Sequence, residues 1–304
     1  MISDYINLLS SDKLIIFLFH GVIEDNSNYK IRNYTSKHIK RSYFEQLLFK
    51  LKKSGVPLSM QEVISHIEKK IKFPKRSYAI TFDDGFENNY SVARHILTKF
   101  ETPATFYITT NFINSNSMSW IDKIEWLFET NNSFEIKLPW SKYIYLCDSV
   151  KKKKRMLEEI RLIAKQNKRL RFDDLVSFIF AQLGSHVIDS SNEDIDKKMN
   201  WDQVADLSSH ELFNIGGHTH NHAIMSYLND EELNLEIDLS LELIRQKAGL
   251  ITTHYSYPEG QADHYSEKVI TFLRKRGIVC SPTAIRGAND IDTSPFELKR
   301  ITVI

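Results

Sequence analysis

The chain has 304 residues, of which 42% are apolar, 26% charged and 12% aromatic. This is the composition of a folded protein with a sizeable core, not of a disordered one. Its 40 Lys and Arg against 39 Asp and Glu leave a formal charge of +1, which gives no general drive toward nucleic acid or anionic lipid.

The first residues, MISDYINLLSSDKLIIFLFHG, have no basic region ahead of the apolar run Leu14–Phe19. That run is too short for a signal core or a membrane span, so a cytoplasmic protein without an integral membrane segment is expected. Short β-like runs recur at 14–20, 77–85, 104–110, 214–220, 254–260, 278–283 and 298–304. Between them, residues 43–55, 91–100 and 231–249 space their apolar side chains by three and four, as helices do. Strands alternating with helices indicate a parallel α/β sheet or barrel, with functional side chains at the C-terminal strand ends. Residues 115–200 interrupt this alternation and read as a mostly helical insertion within a single domain spanning 1–304. Inside it, Lys151–Arg155 reads as a solvated helix face and DSSNEDIDKK (189–198) as a solvated loop. Cys147 and Cys280 lack CxxC spacing and read as free thiols.

Two stretches carry chemistry. TFDDGF (81–86) puts adjacent carboxylates after a strand, and like charges so close raise one another's pKa unless a cation offsets them. A plain Asp-Gly turn is the competing reading. NIGGHTHNHAIM (214–225) holds three histidines. His218 and His222 are four apart, which predicts one face of a helical turn, with His220 directed elsewhere. Two imidazoles and one carboxylate make a common facial set for a catalytic divalent ion.

With these motifs in this order, the chain resembles the polysaccharide deacetylases, the NodB homology domain of carbohydrate esterase family 4. TFDDG, HTHNH as the family's H-S/T-x-x-H, and YSYPEG (255–260) as its third motif carry the resemblance, over roughly 14–110 and 199–304. It implies a distorted (β/α)7-type barrel. It makes Asp84, His218 and His222 ligands of a divalent metal, Zn2+ foremost, with Ni2+, Co2+ or Fe2+ as alternatives. Asp83 becomes the general base, and Thr219 orders the histidine loop. The backbone N–H of Glu259, beside Tyr257 and Pro258, serves the oxyanion. The family's third-motif Arg falls on Ser256 and its late Leu-x-His is missing. FLFHGV (17–22) resembles the start of a branch whose acid histidine precedes the Asp-Asp motif, which makes His20 the acid. Arg300 resembles a recurrent Arg of that branch and is a charge partner for the Asp pair.

The implied reaction is metal-dependent hydrolysis of the acetamide of an N-acetylated sugar, in a glycan or a lipid- or nucleotide-linked precursor. A deformylase or other C–N hydrolase on the same site, and a silent carbohydrate-binding relative, are the alternatives. Of the remaining histidines, His254 and His264 flank the third motif and are candidates to line the cleft. His38, His66, His95, His186 and His210 read as surface or helix residues.

Overall fold

The structure, a computed structural model, describes residues 2–9 and 12–304. Helix α1 (Ile2–Asn7) leads to β1 (Ile15–Phe19), β2 (Gly21–Ile23), β3 (His38–Lys40), α2 (Arg41–Ser54), β4 (Val56–Pro57), α3 (Met60–Glu68) and β5 (Ser77–Phe82). A π turn (Asn89–Ala93) opens α4 (Arg94–Lys99), followed by β6 (Ala104–Ile108), α5 (Thr110–Ser115) and α6 (Trp120–Thr130). Then come β7 (Phe134–Lys137), β8 (Ile144–Cys147), α7 (Val150–Gln166), α8 (Phe172–Gln182) and α9 (Trp201–Ser209). The chain ends with β9 (Phe213–Gly217), α10 (Asp230–Ala248), α11 (Glu267–Arg274) and β10 (Ile301–Thr302).

The main sheet is parallel, in the order β10-β1-β5-β6-β9, with β4 beside the start of β5. Backbone bonds carry the circuit onward. Gly217 N–H donates to His254 O and Tyr255 N–H to Cys280 O, both at 3.0 Å; Thr283 N–H reaches Leu298 O at 2.8 Å. Residues 298–302 thus return to β1, and the sheet closes as a distorted barrel. The expected strands at 254–260 and 278–283 are reduced to isolated parallel bridges, and 298–304 to the two residues of β10. Pro258 and Pro282 offer no N–H for a ladder, and Gly260 turns left-handed at φ 56°.

Alternation along the strands sorts core from site. Phe17, Phe19, Ile80, Phe82, Phe106, Ile108, Phe213 and Ile215 share one apolar cluster with Leu47 and Leu51 of α2, Leu97 of α4 and Leu207 of α9. Phe19, Phe82 and Phe106 form a stacked ladder across three strands, with ring centroids 5.3 and 5.0 Å apart. The opposite parity holds Leu18, Thr81, Tyr107, Gly216 and Thr302. Two residues further along, the same parity reaches His20, Asp83 and His218 at the C-terminal ends of β1, β5 and β9.

Residues 120–182 surround an apolar cluster of their own, built from α6, α7, α8 and the antiparallel β7–β8 hairpin. The hairpin qualifies the expected helical character of 115–200. The stretch 189–198 is a larger correction. Ile195, Asp196 and Lys198 are buried, Arg32 pairs with Asp196, and Lys198 Nζ sits 3.7 Å from the Phe86 ring centre. Ion pairs and a cation–π contact, not apolar periodicity, hold this strap in place. Within Lys151–Arg155 the solvated face holds except at Lys153, which is buried.

The Gly216–Gly217 pair answers to close approach. A Cβ on Gly216 would lie 2.4 Å from the Tyr107 ring, and one on Gly217 2.4 Å from the Tyr255 ring. Gly217→Ala is therefore expected to cost about 1–3 kcal/mol of stability through forced repacking, read as a lower urea midpoint. An unchanged midpoint would contradict this packing.

Candidate metal and hydrolytic site

Adjacent carboxylates in one turn diverge here. Asp84 takes a left-handed conformation, φ 75°, and Gly85 follows at 81°. Asp83 keeps the inward strand parity and meets Arg300 in a two-pronged pair, Nη1–Oδ1 2.8 Å and Nη2–Oδ2 2.7 Å. Arg300 also donates to Ser256 Oγ at 2.9 Å, Thr283 O at 2.6 Å and Thr81 Oγ1 at 3.2 Å. Burial pushes the Asp83 carboxyl pKa up, but the Arg300 charge outweighs it and holds the group below its ordinary range. The guanidinium beside Asp83 and Ser256 thus comes from position 300.

The histidine loop corrects the expected helical turn. Residues 218–224 form no helix, and Thr219 and His222 are both left-handed, at φ 61° and 58°. For a β-branched threonine this conformation is costly, and one tertiary and one local bond hold it. Thr219 N–H donates to Tyr255 Oη at 3.0 Å, and its Oγ1 accepts Ala223 N–H at 3.1 Å. The two bends turn His218 and His222 toward one point. His220 faces away and meets Thr110 Oγ1 at 2.9 Å.

Asp84 Oδ1 lies 3.3 Å from His222 Nε2 and 3.7 Å from His218 Nε2. It is buried without a hydrogen-bond donor of its own. His218 Nδ1 donates to Ser256 O at 2.9 Å, which leaves the Nε2 lone pair facing Asp84. Burial drives the His218 pKa down to about 4, so the ring is neutral at pH 7. Burial also lowers His222, but contact with Asp84 outweighs it and holds His222 above its usual value. Burial raises Asp84, and close contact with His222 and its charge reverse this to well below the carboxylate range. The three atoms lie within 4.8 Å of one another, and two atoms each about 2.1 Å from a shared zinc ion lie about 3–3.5 Å apart. The donor set fits a divalent cation.

These groups open into a cavity of about 250 Å3 that is also lined by His20, Tyr257, Glu259 and Thr302. Burial lowers the His20 pKa against the opposing pull of Asp84 and Asp83. Glu259 sits on a left-handed bend, φ 60°, and its carboxylate pairs with Lys165 of α7. Burial pushes that carboxyl up, while the Lys165 and then the His222 charge hold it well below its ordinary value. Tyr257 is buried and donates to Phe296 O at 3.1 Å.

Sequence reasoning missed the residues of 115–200 that wall this cavity: Ser119, Trp120, Ile121, Arg161 and Lys165. It also missed Lys37, which lines the cavity and pairs with buried Asp122 at 2.6 Å. No motif marks them. His38 is not a surface residue but buried, its ring edge-on to Phe86 at 4.5 Å. His254 is buried outside the cavity, with Nδ1 3.0 Å from Cys280 Sγ. His264 lines an adjoining groove together with Lys165. His66 and His95 lie on helices, His186 is exposed and His210 ends α9.

The family model described as polysaccharide deacetylase matches residues 70–160 and 174–280; His20 and Arg300 lie outside both segments. A poly-β-1,6-N-acetyl-D-glucosamine N-deacetylase of Staphylococcus aureus is 33% identical over 127 residues, covering 38% of this chain and 43% of that protein. The Staphylococcus epidermidis protein of the same name is 32% identical over 116 residues, covering 38% and 34%. The match thus spans less than half the length of these relatives. Among solved structures, the Streptococcus pyogenes deacetylase PplD in complex with acetate aligns with a TM-score of 0.60 at 16% identity, covering 97% of this chain and 94% of that one. IcaB from Ammonifex degensii aligns at 0.60 and 16%, covering 97% and 93%. A de-N-acetylase from Aggregatibacter actinomycetemcomitans aligns at 0.61 and 16%, covering 95% and 94%. At this identity the structural likeness speaks for the fold, and the matched family model, spanning more than half of the chain, carries the assignment: the chain belongs to the polysaccharide deacetylase family.

Proposed function

We propose that the protein is a metal-dependent N-deacetylase that hydrolyses the acetamide of an N-acetylated sugar, in a glycan or glycan precursor, and releases acetate. The observation that carries this reading is the donorless Asp84 Oδ1 facing two imidazole nitrogens, with Asp83 tied off separately by Arg300. The whole of residues 1–304 then serves as one catalytic domain, in which 115–200 is an insertion that forms one wall of the site.

Asp84, His218 and His222 hold the ion, with Zn2+ favoured by the nitrogen-rich set and Ni2+, Co2+ or Fe2+ as alternatives. When bound, such an ion polarises the acyl carbonyl and lowers the pKa of water toward about 7. Asp83 takes the proton of the attacking water, and Arg300, itself donating to Ser256, keeps both of its oxygens oriented. Water oxygen bonds to the acyl carbon and the C–N bond breaks. The N–H of Glu259, presented by the bend after Pro258, donates to the carbonyl oxygen as its charge grows. His20 protonates the departing nitrogen, and Tyr257 shapes the wall beside it.

Acetate release from chitooligosaccharide or poly-N-acetylglucosamine is expected, lost on chelation and restored by Zn2+. Formate release from an N-formylated sugar, with no acetate from these substrates, would mean a deformylase, and binding without any release a silent relative. Asp83→Asn and His20→Ala should each lower kcat by about 10²–10⁴-fold; wild-type rates would remove the role concerned. Arg300→Ala strands a buried carboxylate and should cost about 3–5 kcal/mol of stability. Adding Asp83→Asn should recover part of that loss in urea denaturation, whereas equal midpoints for all variants would contradict the pair.

A further inference from the structure

The catalytic cavity has a neighbour of about 430 Å3, and the two share Ser119, Trp120 and His222. Lys123, Lys168, Arg169 and Arg171 line this second space, against the carboxylates Asp173 and Glu232. Glu232 is engaged in capping α10, where it accepts Asn229 N–H at 2.9 Å. Asp173 lies in the first turn of α8, where the helix dipole accommodates its charge. Lys123 is answered by Asp189 at 2.7 Å. The other three cations are not neutralised in this way. Lys168 Nζ lies 5.1 Å from the Tyr227 ring centre. Arg171 is 3.9 Å from Asp174 with both side chains largely exposed, and a pair of that kind contributes little. Arg169 has no carboxylate partner among the described residues. The lining of this space, four cations against two carboxylates, is therefore positive in a chain of overall charge only +1, and deacetylation of a neutral sugar makes no use of it.

Guanidinium forks suit phosphate oxygens in shape as well as charge. Trp120, stacked on Phe172 at 4.6 Å, lines both spaces, so the groove adjoins the place where a sugar would meet His222. We propose that the groove is a subsite for phosphate, and that the preferred substrate is an N-acetylated sugar bearing a phosphate or diphosphate. The inference rests on the deacetylase reading for the sugar and on the groove alone for the phosphate.

The test compares kcat/KM for acetate release from a neutral chitotriose, N-acetylglucosamine 1-phosphate, UDP-N-acetylglucosamine and farnesyl-diphosphate-linked N-acetylglucosamine. At least one phosphorylated substrate should exceed the neutral one by about tenfold, and added salt should shrink the gap. The nucleotide and farnesyl arms identify the carrier. In Arg169→Gln/Arg171→Gln the preference should fall to within about twofold of unity. Equal kcat/KM for neutral and phosphorylated substrates, or a variant that slows every substrate by the same factor, would overturn the proposal. If no substrate releases acetate, the deacetylase reading fails and calorimetry judges the groove separately. N-acetylglucosamine 1-phosphate should bind about tenfold more tightly than N-acetylglucosamine to the native protein but not to the variant; equal affinity would overturn the subsite.

Discussion

The buried ion pair between Arg300 and Asp83 organises the rest of the site. Two carboxylates side by side at the end of a strand repel each other, and the fold resolves this by giving each its own counter-charge. Asp83 points into the barrel toward a guanidinium 217 positions away, itself only 1% exposed. Asp84 turns left-handed toward the imidazoles. A pair this deep carries a large desolvation cost, offset only by good geometry and by partners for the remaining donors. Ser256, Thr283 and Thr81 provide those partners. The same contact adds to the backbone bonds that hold the final segment against the barrel mouth, so orientation of Asp83 is tied to closure of the sheet.

Around that pair, strand alternation and backbone strain divide the work. Parity alone brings His20, Asp83 and His218 to the mouth, while the phenylalanine ladder of the opposite parity anchors the strands to their helices. Asp84, Thr219, His222 and Glu259 reach their positions through left-handed backbone; among the described residues nine non-glycine positions adopt it. That nearly half of these cluster at the site fits strain held where geometry matters most. The segment 115–200 adds a second apolar core and one wall of the cavity, and the Lys165–Glu259 pair ties that wall to the bend after Pro258.

Much of this was legible from residue types and order. Two imidazoles with a carboxylate from the Asp pair point to a cation by residue type, while the choice of Asp84 over Asp83, and Arg300 as partner for the acidic pair, come from the family resemblance. The convergence of the histidines was misread as a helical turn, because i,i+4 spacing does not reveal that Thr219 and His222 bend left-handed, Thr219 under a tertiary bond to Tyr255. The strap at 189–198 and Lys37 were invisible for another reason. Their burial comes from ion pairs and cation–π contacts, which leave no periodic apolar trace. The short barrel segments at 254–256 and 279–283 read as full strands because their apolar alternation is sound, while the prolines that cut their ladders short act only locally.

The central claim is that three side chains hold a cation while Asp83 stays with Arg300. Anomalous diffraction from crystals of the zinc-loaded protein tests it directly. The account predicts one peak bounded by Asp84 Oδ1, His218 Nε2 and His222 Nε2, with the Asp83–Arg300 pair intact. A peak shared between Asp83 and Asp84 with Arg300 displaced, or no peak at these residues, would contradict it.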